Sequence, residues 1–200
     1  MSTAKGQVLE RRNAARKILD ALADDALIVA SVGTPTGDVA AAKERNLNFY
    51  LRGAMGCASS VALGLALAQP ERRVLNFVGD AELLMTAGSL ATIAVMRPKN
   101  LAVVVLDNEA YGETGMQKAA TGYGVDIAGI AKASGFPVTA TARTESDLAK
   151  AVESIHGGQG PVLIVVKVRQ EKPDRVALPY DGVWIKNRFR EALLGEDGII

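Results

Sequence analysis

Apolar residues follow two rhythms along the chain. Over residues 8–23, Val8, Ala15, Ile18, Leu19 and Leu22 recur at helical spacing with Glu10, Arg11, Arg12 and Lys17 between them, which predicts a first amphipathic helix. Compact apolar runs at 27–31, 48–51, 74–78, 101–106, 137–141 and 162–166 then read as about six strands. The runs at 101–106 and 162–166 show no alternation with polar residues, as strands buried on both faces of a parallel sheet require. Helical stretches at 57–68, 83–96, 126–134 and 146–156 lie between them, and Thr144 with Asp147 reads as a cap for the last. Residues 33–37, with Pro35 between Gly33 and Gly37, read as a loop. The alternation predicts right-handed βαβ crossovers and a doubly wound α/β fold, a mainly parallel sheet with helices on both faces. Residues 1–168 make up this domain. Residues 169–200 read as a C-terminal tail, basic and carrying the only Trp, suited to docking on a partner subunit rather than to building a second core.

Composition narrows the function. With 200 residues, 48% of them hydrophobic, the chain fills one core and is not disordered. The balance of 23 basic against 22 acidic residues leaves no global field for nucleic acid or an anionic membrane. One cysteine and one histidine exclude an internal disulfide and a zinc cluster, which fits a reducing cytoplasm. The first seven residues lack the apolar core of a signal peptide, and charge interrupts every apolar stretch well before about 18 residues, so a soluble cytoplasmic protein is expected. A Ser-His-Asp hydrolase would have to use His156, which reads better as a solvated helix-end residue.

In an open α/β sheet the residues just beyond the strands' carboxyl ends are the ones to inspect for chemistry. One such end is Arg52-Gly53-Ala54-Met55-Gly56, where glycines allow close backbone approach and a helix start can attract an anion; a purely structural turn fits equally. The others are Gly79-Asp80-Ala81-Glu82 and Asp107-Asn108-Glu109-Ala110-Tyr111-Gly112. Asp80 and Asn108 are oxygen donors suited to Mg2+, and on neighbouring strands they would converge on one ion; as a helix cap and a turn residue they would need no ion.

Gly79-Asp80 followed by Asn108 resembles the Gly-Asp-Gly to Asn-Asn signature of thiamine diphosphate enzymes, and Gly53-Ala54-Met55-Gly56 and residues 63–72 and 83–93 strengthen the likeness. It covers residues 8–168 and is greatest toward the separately encoded beta subunits of sulfopyruvate decarboxylases and the matching domain of phosphonopyruvate decarboxylases. The resemblance implies that Asp80, Asn108 and the Ala110 carbonyl hold Mg2+, while Gly79, Ala81, Glu82, Tyr111 and Gly112 surround the diphosphate. It gives Met55 the role of propping the cofactor in a bent conformation, and the Gly53 carbonyl that of accepting from the aminopyrimidine. Ala81 and Glu82 depart from the usual Gly and Ser, and Asp107 from the usual first Asn, where it serves as an outer partner of the ion or as a strand-end cap.

The family also uses a glutamate from a separate pyrimidine-binding domain. One α/β domain leaves no room for it, so the resemblance implies a second, alpha chain, a hetero-oligomer and a shared active site. Glu113 is a candidate for substrate contact or lid closure, with Thr114 and Gln117 beside it; Arg52 and Lys118 are candidate anion contacts. Cys57 reads as a packing residue rather than a nucleophile. The implied activity is decarboxylation of sulfopyruvate or a similar small anionic 2-oxo acid to an aldehyde. The alternatives are a carboligase subunit and a non-catalytic metabolite-binding regulatory module, the latter suggested by Ala81-Glu82.

Overall fold

The computed structural model describes residues 8–172 and 174–195, so the first seven residues, on which the signal-peptide argument rests, lie outside the described residues. In chain order the strands are β1 (Leu27–Ala30), β2 (Asn48–Tyr50), β3 (Val74–Gly79), β4 (Leu101–Asp107), β5 (Ala110–Tyr111), β6 (Gln117–Lys118), β7 (Val138–Ala142) and β8 (Val162–Lys167). The helices are α1 (Arg11–Asp20), α2 (Thr34–Ala42), α3 (Ala58–Ala68), α4 (Asp80–Met85), α5 (Gly88–Met96), α6 (Ile127–Ser134), α7 (Glu145–Gly157) and α8 (Gly182–Leu194). Six strands pair in parallel in the order β2-β1-β3-β4-β8-β7, and β5 and β6 form a separate antiparallel ribbon.

The pleat sends alternate side chains to opposite faces, which is why consecutive apolar residues serve two cores. Ile28, Phe77, Val104 and Ile164 join one core with Ile18 and Leu19 of α1 and Leu148 and Ile155 of α7. Leu27, Val29, Val103 and Leu163 join the other with Leu63 of α3, Ile93 of α5 and Ala131 of α6. Thr144 and Asp147 form the expected capping box of α7.

Several segments differ from their sequence pattern. The first helix begins at Arg11, because the Glu10 carboxylate accepts from Arg12 N at 2.9 Å and Asn13 N at 2.5 Å. Leu9 instead bridges in parallel to Val168. Residues 33–37 open a helix, α2, with Pro35 in its first turn, where the missing N–H costs nothing. The buried Asp38 ties α2 to α1 through Arg11 Nε at 2.5 Å. The stretch 83–96 is two helices. Thr86, where α4 stops, donates its hydroxyl to the Gly56 carbonyl at 2.7 Å. His156 is half-buried rather than fully solvated: its Nε2 lies 2.8 Å from the Ile18 carbonyl, and burial pushes its pKa down. Cys57 is exposed at the start of α3, not packed inside.

The described part of the tail folds onto this domain. Asp181 caps α8 by accepting from Val183 N and Trp184 N, and the helix then covers β2, the outer strand. Ile185 enters one core and Phe189 the other, where its ring centroid lies 5.4 Å from that of Phe49. Arg188 donates to the Asn48 carbonyl of β2 at 2.8 Å. No described helix is long and apolar enough to cross a membrane.

Candidate cofactor site

The chain leaves β1 toward β2 on one side and returns to β3 on the other, so the strand order reverses between β1 and β3. Loops diverge at such a point and open a crevice beyond the strands' carboxyl ends. Gly79 is in register with Leu106, which brings Asp80 and Asp107 out side by side. Asp80 is the first residue of α4 and is only 2% exposed. Its Oδ2 accepts from Thr121 Oγ1 at 2.5 Å. Burial, reinforced by the Asp107 charge and opposed by Thr121, pushes the Asp80 carboxyl up to about 6.

Asn108 is buried, and its Oδ1 accepts from Ala110 N at 3.1 Å, the Asx turn expected of its structural role. Helix α4 packs against β5, which places Ala110 and Tyr111 beside the helix that Asp80 opens. A Cβ on Gly112 would lie 3.4 Å from Thr34 Cγ2 and 3.8 Å from Asn108 Nδ2, so the ribbon, the start of α2 and the end of β4 converge there. Glu113 lies beside Gly33, its Cγ 3.1 Å from where a Gly33 Cβ would be. Thr114 and Gln117 hydrogen-bond one another on the exposed ribbon. Arg52 stacks on Tyr180 at 3.7 Å and Lys118 on Tyr123 at 4.2 Å, so both cations are engaged by rings.

The turn of residues 53–56 is gripped by α4. Gly56 N donates to Glu82 Oε1 at 3.3 Å while its carbonyl accepts from Thr86, and with φ +86° a Cβ there would come within 2.9 Å of Thr86 Cγ2. Gly53, also at positive φ, faces open space, and Met55 is 39% exposed. Glu82 is buried with its carboxyl raised by desolvation, which Ser31 and the backbone at Gly56, Ala58 and Gly79 partly counter. Glu82 therefore reaches across to the neighbouring turn.

Two groups carry little signal in the sequence. Gly33 and Thr34 at the start of α2 face Glu113 and Gly112; glycine followed by proline in a first turn was the available signal. Lys167, in register with Asp107, bonds the Asp107 carboxylate at 2.8 Å and the Glu109 carboxylate at 2.5 Å. A lysine closing an otherwise apolar buried run was its only trace. Asp107 is thus both the strand-end cap, accepting from Glu109 N at 3.0 Å, and half of an ion pair.

Asp80, Asn108 and the Ala110 carbonyl are hard oxygen donors, and Asp80 is a buried acid with no cation of this chain paired to it among the described ion pairs. Open space at Gly79 leaves room for a ligand. Among the described residues no three His, Cys, Asp or Glu side chains gather as a metal cage, so an ion here needs further oxygens, which a diphosphate supplies. These residues fit Mg2+ with a diphosphate. A groove of about 530 Å³ beside α8, lined by Asn46, Asp181, Trp184 and Arg188, adjoins the amino end of β2 instead.

The model for thiamine pyrophosphate enzymes, C-terminal TPP binding domain, matches residues 31–166. The chain is 37% identical to the sulfopyruvate decarboxylase subunit beta of Methanocaldococcus jannaschii, over 89% of this chain and 94% of the relative. It is 33% identical to the phosphonopyruvate decarboxylase of Streptomyces viridochromogenes, over 88% of this chain but 47% of that longer one. The benzoylformate decarboxylase structure from Polynucleobacter necessarius superposes with a TM-score of 0.70 at 19% identity, covering 87% of this chain and 36% of that one, which is a likeness of fold. Matched along most of its length by the family model and by relatives above 30% identity, the chain belongs to the thiamine pyrophosphate enzymes, as a C-terminal cofactor-binding domain.

Proposed function

We propose that this chain is the diphosphate-binding beta subunit of a thiamine diphosphate-dependent decarboxylase whose substrate is sulfopyruvate or a similar small anionic 2-oxo acid, and which works in the cytoplasm with an alpha chain. The observation that carries the reading is the pairing of Asp80 and Asn108 at adjacent strand ends beside the Ala110 turn. In this reading Asp80, Asn108 and the Ala110 carbonyl hold Mg2+. The backbone at Gly79, Ala81, Glu82, Tyr111 and Gly112, with the start of α2 at Thr34, receives the diphosphate. The Gly53 carbonyl accepts from the aminopyrimidine, Met55 supports the bent cofactor, and Glu113 faces the substrate side. The bound cofactor supplies an electron sink for loss of CO2. The protein's own contribution is positioning, together with exclusion of water once a second chain closes the site.

A second feature supports the partner. Helices α3 and α5 contain no charged residue, yet Leu67, Val95 and Met96 on them are exposed, Val95 at 79%, as is Met85 at the end of α4. Uncharged helices that pack together and still show an apolar face suit an interface between chains. The tail, through Val183 and Trp184, is a further docking candidate. The non-catalytic alternative loses its main support, because Glu82 is turned to the turn at Gly56.

The test is CO2 release from sulfopyruvate by the purified chain with thiamine diphosphate and Mg2+, before and after adding a candidate alpha chain. Turnover only in the mixture is expected. Robust turnover by this chain alone would defeat the two-chain reading.

A further inference from the structure

The ion pair at the end of β8 concerns the same site and rests on the metal assignment proposed above. Both Asp107 oxygens are engaged: Oδ1 accepts from Glu109 N at 3.0 Å and Oδ2 from Lys167 Nζ at 2.8 Å. Lys167 also holds the Glu109 carboxylate at 2.5 Å, and Glu109 sits in the left-handed region at φ 60°, a conformation uncommon for its residue type. The loop is tied further by Val168 N to the Asp107 carbonyl at 3.0 Å and by Ala119 N to the Glu109 carbonyl at 2.9 Å. Between Asp107 and Glu109 lies Asn108, and just beyond comes Ala110. Two of the three groups proposed to meet the metal are therefore carried on a loop whose two acids share one buried ammonium.

Asp107 emerges beside Asp80 and adds to the repulsion that an ionised Asp80 feels. Two such carboxylates left unmasked would attract a divalent cation without any cofactor, since carboxylates are its preferred ligands. We propose that Lys167 is a positioning residue that withholds Asp107 from the cation, so that Asp80, Asn108 and the Ala110 carbonyl form an incomplete set and metal is captured only together with a diphosphate. Lys167 touches neither cation nor substrate; it acts by fixing Asp107 and Glu109. Asp107 in this scheme is a partner of Lys167, not a metal ligand.

The test measures Mn2+ binding to the full chain from the resonance of the free ion, with and without thiamine diphosphate, so the readout is independent of turnover. The unaltered chain should bind Mn2+ weakly alone and tightly with the cofactor. Lys167→Met should strengthen cofactor-free Mn2+ binding by about tenfold, the scale on which partners of metal-site residues act, and so shrink the gap made by the cofactor. Adding Asp107→Asn to that variant should restore the original gap, because the unmasked carboxylate is gone. Should Lys167→Met not fold, Asp107→Asn alone decides: unchanged Mn2+ binding in both conditions supports the proposal, and a loss with the cofactor present overturns it by making Asp107 a ligand. An unchanged gap in folded Lys167→Met, or a changed one that persists in the double variant, overturns the role of Lys167 alone. No gap in the unaltered chain would defeat the metal assignment as well.

Discussion

Replacing Asp80 by Asn should stabilise the cofactor-free chain. The folded Asp80 carboxyl is raised to about 6 from its ordinary 3.8, mainly by burial, so above pH 6 the fold holds an ionised acid that it disfavours. Moving the midpoint of a carboxyl by about two pH units costs its ionised folded form about 3 kcal/mol. The sign follows from linkage. Below pH 3.8 the acid is protonated in both folded and unfolded chains and the penalty vanishes; as pH rises through 6 the penalty reaches its full size. Asparagine keeps the shape and can still accept from the Thr121 hydroxyl, which now lies 2.5 Å from Oδ2. For a chain of this length the gain corresponds to roughly 6–12 °C in melting temperature at pH 8. Urea unfolding of both proteins without cofactor, at pH 8 and near pH 4, measures it. A variant no more stable than its parent at pH 8, or an advantage that does not shrink toward pH 4, would refute the reasoning. The same variant should lose metal-dependent cofactor binding, so stability and function would move in opposite directions.

Three other substitutions probe separate parts of the structure. Asn108→Ala should abolish Mg2+-dependent binding of thiamine diphosphate in calorimetry with little change in far-ultraviolet circular dichroism; binding as tight as the parent's would remove Asn108 from the metal site. Met55→Ala should leave cofactor affinity near the parent value while slowing turnover of the assembled enzyme, and unchanged turnover would dissociate Met55 from that role. Phe189→Ala should destabilise the chain by about 3 kcal/mol in urea, because it empties a site between α8 and Phe49; an unaltered midpoint would show that α8 adds nothing to the fold.

The sheet was readable from its sequence because its central strands are compact apolar runs, β4 and β8 so thoroughly buried that no alternation could hide them, while the outer β7, VTATA, shows only β-branched residues between alanines. Helix α2 was not readable in this way: TPTGDVAAA offers little amphipathic contrast, and its anchor to α1 is the ion pair between Asp38 and Arg11, which hydrophobic patterning cannot register. For α8 the charged side chains drew attention to the surface, while its two inward anchors, Ile185 and Phe189, lie four residues apart and serve different faces of the sheet. At the site, Asp80 and Asn108 stood out because strand ends are where such folds bind ligands. The direction taken by Glu82 and the clamp at Lys167 depend on neighbours 26 and 60 residues away in sequence. No local motif encodes those distances.

Helix α8 follows every strand in chain order, yet it supplies side chains to both cores and meets the outward carbonyl of Asn48 on the sheet's edge. Until it arrives, β2 offers an open edge, bordered by Phe49, for another chain to pair with. Among the described elements α8 is the one that closes this edge, and a chain emerging from the ribosome has all six described strands of the sheet before it has that cover.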